Sequence, residues 1–266
     1  MTACTRLSTR WLKPCLGLLL GLFLLGGEGR AEELVTALSS DVVSIQSNFT
    51  GTEIVIFGQI GMDPQTLSRP GRYDIIIKVV GPDQQITTRR KGRFLGVWVN
   101  RDYETFVAVP SFYSLASTGR VGELGGRELL DAHALGLNHL NLPVSGSSHV
   151  PLSERDDFRE AFLRLRTEQG LYAERPESIE FLTNTMFRTT VPLPANIPVG
   201  KYSIQGFLIQ DGVLLSRTEQ ELAVAKIGFE QVTYNLARHH PLVYGVLAVI
   251  LATVTGWLAG VIFRKD

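Results

Sequence analysis

Hydrophobic and polar positions divide the chain into a short apolar run near the start, a long body of brief alternating segments, and a charge-free end. The end, Pro241 to Phe263, holds 23 residues without a charge. At ~1.5 Å rise per residue it reaches ~34 Å, enough to cross a hydrocarbon core of ~30 Å as one helix. Tyr244 and Trp257 lie toward its two ends as interface anchors. Arg264 and Lys265 follow at once, and a basic flank of this kind is retained on the cytoplasmic side. At the start, Arg6, Arg10 and Lys13 precede an apolar run from Cys15 to Gly27, with small residues at Gly29 and Ala31. That layout predicts a secretory signal peptide over 1–31, cleaved after Ala31; an uncleaved signal anchor is the other reading. Both export the body.

Within the body, Val42–Gln46, Glu53–Ile60, Tyr73–Val80, Ile86–Arg90, Phe94–Val99 and Thr105–Val109 are rich in β-branched and aromatic residues, with turn residues between them. Such spacing predicts a mainly β fold built from immunoglobulin-like antiparallel β-sandwich units. The continuous runs Ile54-Val55-Ile56-Phe57 and Ile75-Ile76-Ile77 suit central strands covered on both faces. Gly81-Pro82-Asp83, Asn100-Arg101-Asp102 and Asp211-Gly212 are the expected hairpin turns. Between 111 and 182 the texture becomes glycine-rich and helical. One helix is expected over Arg127–Leu137, and a second from Ser153, with Ser153 and Asp156 at capping-box distance and Phe158, Phe162, Leu165 and Gln169 along one face. This amphipathic helix is expected to lie on the sheet as a lid.

Strands resume after Phe187, and here a local order recurs. An extended segment, a proline-containing turn and Gly-Lys-Tyr opening a strand (200–202) match an earlier segment with Gly-Arg-Tyr at 71–73. The predicted organisation is therefore a signal peptide (1–31), a β-sandwich unit (32–110), a glycine-rich and helical insertion (111–182) and a second β-unit completing the body (183–226). A juxtamembrane helix (227–240), the transmembrane helix (241–263) and a cytoplasmic tail (264–266) follow.

Composition narrows the chemistry. Cys4 and Cys15, both in the signal segment, are the only cysteines, so disulfides, thiolate metal sites and cysteine nucleophiles are not expected after cleavage. Without residues 1–31 the chain has 22 basic and 25 acidic residues, a formal charge of minus 3. Such a surface has no electrostatic reason to bind nucleic acid. His133, His139 and His149 cluster near Asp131, but spacings of six and ten do not place ligands on one helical turn. No nucleophile elbow or phosphate loop is present, and Trp98 and Phe112-Tyr113 suit core positions better than a pocket. No catalytic residue, metal ligand or cofactor is nominated.

Two interaction signals remain. Ala248, Ala252, Gly256 and Gly260 recur every four residues in the apolar end, a column of small side chains that lets another helix approach closely. Membrane lipid, and a membrane-protein partner or a second copy, are the partners this implies. Arg89, Arg90, Lys91 and Arg93 form a basic cluster that reads either as a solvated strand face or as a site for a small anion.

The segments KGRFLGVWVN, VPSFYSLAST, VPLPANIPVGKYSIQGFLIQDG and KIGFEQVTYNLARHHPLVYGVLAVILATVTGWLAGVIFR resemble the Alph_Pro_TM family of alphaproteobacterial transmembrane proteins. The resemblance implies a bacterial inner-membrane setting with a periplasmic domain, and an accessory role beside transporters that look like sulfite exporters. It brings no catalytic residue and no ligand set.

Overall fold

The structure, a computed structural model, describes residues 32–61, 73–146, 150–226 and 236–262. The predicted signal peptide, Gly71-Arg72, His149, most of the juxtamembrane segment, and Arg264 and Lys265 lie outside them.

The body is mainly β, and its core strands form two sheets. Strands β1 (Glu33–Leu38), β3 (Gly51–Gly61), β10 (Met186–Pro194) and β9 (Ile179–Phe181) make an antiparallel four-stranded sheet in that order. The other has six strands: β2 (Val42–Ile45), β12 (Val213–Lys226), β11 (Gly200–Gln210), β4 (Asp74–Val80), β7 (Tyr113–Ser117) and β8 (Tyr172–Arg175). Its outer pairs, β2 with β12 and β7 with β8, are parallel. Hydrogen bonds between β1 and β12 tie the sheets together: Thr36 Oγ1 meets Thr218 Oγ1 at 3.2 Å, and the Gln220 side chain on β12 donates through Nε2 to the Thr36 backbone carbonyl at 2.7 Å. Leu34, Ile54, Ile56 and Ile60 from the four-stranded sheet share one core with Ile75, Ile77, Ile204 and Leu208 from the six-stranded sheet.

The two apolar runs fare differently. Ile75, Ile76 and Ile77 are all fully buried, so β4 is covered on both faces as its continuous run requires. In β3 the burial alternates, with Ile54 and Ile56 inside and Phe57 exposed. Strand β3 therefore has one wet face, because the four-stranded sheet is covered on its inner side alone at this position.

The recurring segments occupy corresponding places. Strand β3 leads across to β4, and β10 leads across to β11; β3 pairs antiparallel with β10, and β4 antiparallel with β11. Each segment thus supplies one strand to each sheet, in a pseudo-two-fold arrangement. Residues 111–182 also enter the sheets, through β7, β8 and β9, and carry three short helices between them. These are α1 (Val121–Leu124), α2 (Arg127–His133) and α3 (Arg155–Glu168). The expected first helix is shorter than Arg127–Leu137: Ala134 adopts a left-handed conformation at φ 48° and ends α2. Helix α3 begins at Arg155 after a 3-10 turn over Leu152–Glu154, and no side chain caps it, so the expected Ser153 box does not form. Asp156 and Asp157 in its first turn still meet the positive end of the helix dipole. Gly170, at φ 71°, stops it.

Strands β5 (Asp83–Phe94) and β6 (Val97–Pro110) form an arm. Neither expected turn in this region is one. Gly81 and Pro82 carry the chain straight from β4 into β5, with Gly81 N–H on the Phe112 carbonyl and Ser111 N–H on the Pro82 carbonyl extending the β4–β7 ladder. Asn100-Arg101-Asp102 lies inside β6, and the chain reverses instead at Leu95-Gly96, with φ 46° and 85°. Two positive φ values make the tight hairpin that twisted strands favour, normally signalled by Asn-Gly or Asp-Gly. Asp211-Gly212, with φ 50° and 79°, is such a turn and joins β11 to β12 as expected. Helix α3 packs on the arm, with Phe162 on Phe106 at 5.0 Å and on Tyr172 at 5.7 Å. Its stripe is buried at Phe158 and Phe162 and emerges at Leu165.

The apolar end is one helix, α4 (Pro241–Ile262). Pro241 takes its first position, where a missing N–H costs nothing. Leu236–His239 form a preceding helical turn, and the Tyr244 N–H donates to the His240 carbonyl, so the hydrogen bonding passes around Pro241.

Candidate functional site

Helix α4 is long and apolar enough to cross a membrane, and none of its residues is buried against the body. At 22 residues it spans ~33 Å. Lipid or another membrane segment must therefore cover its apolar side chains. Ala248, Ala252, Gly256 and Gly260 follow one i, i+4 ridge. A Cβ built on Gly256 or on Gly260 would meet nothing within 4 Å beyond the helix's own backbone, so the space beside both glycines on this ridge is open. Thr253 and Thr255 donate to the Val249 and Leu251 carbonyls at 2.8 and 2.7 Å, which satisfies both hydroxyls inside the helix.

The two described histidines of the cluster, His133 and His139, do not converge. His139 Nδ1 lies 2.6 Å from Asp131 Oδ1, whereas the His133 ring packs on Phe207, 5.3 Å between centroids. Among the described residues no group of three His, Cys, Asp or Glu side chains is placed to hold a metal. The basic cluster is divided as well. Arg90 is held by Asp102 at 2.9 Å and Glu154 at 2.5 Å, and its guanidinium stacks on Phe158. Arg89, Lys91 and Arg93 remain exposed on the arm. Beside them a cleft of about 400 Å3 is lined by Arg90, Arg101, Asp102, Tyr103, Val150, Pro151 and Glu154. Its two cations and two carboxylates balance. Phe112 and Tyr113 are core residues, and Trp98 is 65% exposed at the end of the arm.

A second cationic group is on the six-stranded sheet. Lys78 Nζ, on β4, donates to the His133 carbonyl at 2.6 Å and sits 5.5 Å from the centre of the Phe207 ring; Arg217 lies 5.7 Å from the same ring. Burial, with Arg217 adding to it, lowers the Lys78 pKa to about 8. The same burial, with Arg217 and Lys78 nearby, lowers that of His133. Glu219 is held below the ordinary carboxylate range by hydrogen bonds from Ser203 and Gln205. A lysine inside the run Ile75-Ile76-Ile77-Lys78-Val79-Val80 was the available signal for this group. What the lysine does is pin α2 to the sheet.

Other buried polar side chains are used the same way. Tyr113 Oη donates to the Ala134 carbonyl at 2.9 Å and accepts from Gly136 N–H at 2.8 Å. Tyr172 donates to the Pro110 carbonyl at 2.6 Å and Tyr202 to the Pro198 carbonyl at 2.5 Å. Burial raises all three phenol pKa values, that of Tyr202 to about 12, so each stays a neutral donor. These hydroxyls fasten loops to strands.

No curated protein matches the chain. A family model described as "Putative transmembrane protein (Alph_Pro_TM)" matches residues 33–265, from the first strand through the membrane helix. With a mainly β body, one exposed apolar helix and a family match over both, the chain belongs to the Alph_Pro_TM family of transmembrane proteins.

Proposed function

We propose that this protein is a non-enzymatic accessory or interaction subunit of a membrane transporter or envelope complex. In this reading α4 crosses the inner membrane once, residues 32–240 lie in the periplasm and the C-terminus is cytoplasmic. The observation that carries the reading is the open ridge of Ala248, Ala252, Gly256 and Gly260, on a helix with no residue buried among the described residues. Arg264 and Lys265 after the span support the orientation, and the basic, apolar and small-residue order of 1–31 supports export. The non-enzymatic part is supported by how the body uses its buried polar groups: Lys78, Tyr113, Tyr172 and Tyr202 each bind a backbone carbonyl. Capture of a small anion by the arm is the weaker reading, because Arg90 is already neutralised by Asp102 and Glu154.

The test is to replace Gly256 and Gly260 with Leu in the full chain and isolate it from native membranes under mild detergent. The wild type is expected to co-purify with a membrane protein or a second copy, and the variant to lose it. Unchanged co-purification sinks helix-mediated assembly.

A further inference from the structure

The end of the β5–β6 arm combines features that a water-exposed hairpin ordinarily avoids. Phe94, Leu95, Val97 and Trp98 are 64%, 90%, 63% and 65% exposed, in one short stretch. Leu95 also holds a left-handed φ of 46°, a place where Gly, Asn or Asp sits at lower cost. A large apolar side chain is kept there against both solvation and backbone preference. Behind the tip, residues 89–101 include Arg89, Arg90, Lys91, Arg93 and Arg101 and no acidic residue. Arg90 is held by Asp102 and Glu154; the other four are exposed and form no ion pair among the described residues. An apolar aromatic tip inside a basic collar is complementary to a bilayer interface with anionic headgroups.

The topology sets the base of the arm at the end of the sheet from which the chain continues toward α4. Strand β4 runs in the same direction as β12, because each pairs antiparallel with β11. Ser203 on β11 pairs with both Val80 and Glu221, so β4 passes into the arm at the end of the sheet from which β12 leads to the membrane helix. Helix α3 runs beside the arm from Glu154, near Arg90, to Tyr172, which enters β8 level with Tyr113 at that same end. Twelve residues of β5 reach ~40 Å at strand rise; residues 227–235 reach at most ~32 Å and the helical turn over 236–240 adds ~7 Å, so the linker's limit of ~40 Å matches the arm.

We propose that the hairpin tip Phe94–Val99 inserts into the interface of the bilayer crossed by α4, and that Arg89, Lys91, Arg93 and Arg101 select anionic phospholipid. The arm is then a second membrane contact, and the body is held at two points. The proposal rests on the membrane helix and is independent of the accessory role.

The test uses the full chain with Cys4→Ser and Cys15→Ser, reconstituted into vesicles of phosphatidylcholine alone or with phosphatidylglycerol at about a third of the lipid. An environment-sensitive fluorophore is attached at Leu95→Cys, or at Asp211→Cys in the turn at the opposite end of the sheet. In anionic vesicles the label at 95 is expected to shift to the blue and to be quenched by lipids carrying a quencher near the headgroup. The label at 211 stays in water. Each basic residue near an anionic surface is worth about fivefold in partitioning, so changing all four to Gln shifts the tip toward water by nearly three orders of magnitude, roughly 600-fold. Far-UV circular dichroism checks that the exposed replacements leave the fold intact. A label at 95 that stays in water in anionic vesicles overturns the proposal. Shielding found only in native membranes also overturns it, because a protein then occupies the tip. Equal insertion with and without phosphatidylglycerol removes the anionic selectivity.

Discussion

Gly58 lies at the middle of β3, paired with Thr36 on one side and Phe187 on the other. A Cβ at this position would stand 2.0, 2.4 and 2.8 Å from three atoms of the Phe187 ring. The ring is fully buried and has Phe181 beside it at 6.2 Å, so it has no free volume to swing into. Gly58→Ala must displace either the ring or the strand. Overpacking of a closed core costs about 1–3 kcal/mol, and contacts this short put the substitution at the upper end. For a domain of this size each kcal/mol moves Tm by ~2–4 °C, so a fall of about 6–12 °C is expected. The partner variant Phe187→Leu removes the atoms that clash and leaves a cavity, itself costing about 1–3 kcal/mol. Combined, the two are expected to cost less than their sum by about 1–3 kcal/mol. The assay is thermal and urea unfolding of the full chain in mild detergent, followed by circular dichroism at the β-sheet band. Gly122→Ala, where a Cβ meets nothing within 4 Å, is the control and should stay within about 0.5 kcal/mol. A Gly58→Ala protein as stable as the control, or additive costs in the double variant, would refute the reasoning.

Three further outcomes are expected. Lys78 has its folded pKa lowered to about 8 from 10.5, so the unfolded chain binds more protons between these values and stability rises with pH across that window, by at most about 3 kcal/mol. Lys78→Met should abolish this rise in unfolding curves taken from pH 8 to 10.5; an unchanged slope would assign the titration elsewhere. Tyr113→Phe removes a hydroxyl that bridges the Ala134 carbonyl and the Gly136 N–H, and should destabilise by about 1–3 kcal/mol in urea titration, with hydrogen exchange accelerating first at 134–139. Gly212→Val places a β-branched residue at φ 79° in the β11–β12 turn and should cost about 1 kcal/mol or more, whereas Gly212→Asn, which tolerates that conformation, should be nearly neutral.

The body shows where a recurring sequence order has structural meaning. The β3–β4 and β10–β11 segments each cross from one sheet to the other and pair with each other in both. Neither could bury its apolar face alone, and their buried residues share one core.

Local physics determined several features before any coordinate. Twenty-three charge-free residues must lie in lipid or be buried, and the helix Pro241–Ile262 follows from length and hydropathy alone. The isoleucines at 75–77 announced a strand covered twice, and Asp211-Gly212 announced its turn, because both signals are complete within a few residues. Tertiary structure decided the rest. Leu95-Gly96 became the hairpin turn because the β5–β6 register requires reversal there, and a leucine at a left-handed position carries no turn signal of its own. Phe57 emerged from a run that looked doubly buried, since coverage of a strand depends on what packs over the sheet. Arg89, Arg90, Lys91 and Arg93 are one cluster in the sequence. The fold assigns Arg90 to carboxylates on β6 and just before α3 and leaves the others at the base of the aromatic tip, because long-range ion pairs are fixed by which elements meet.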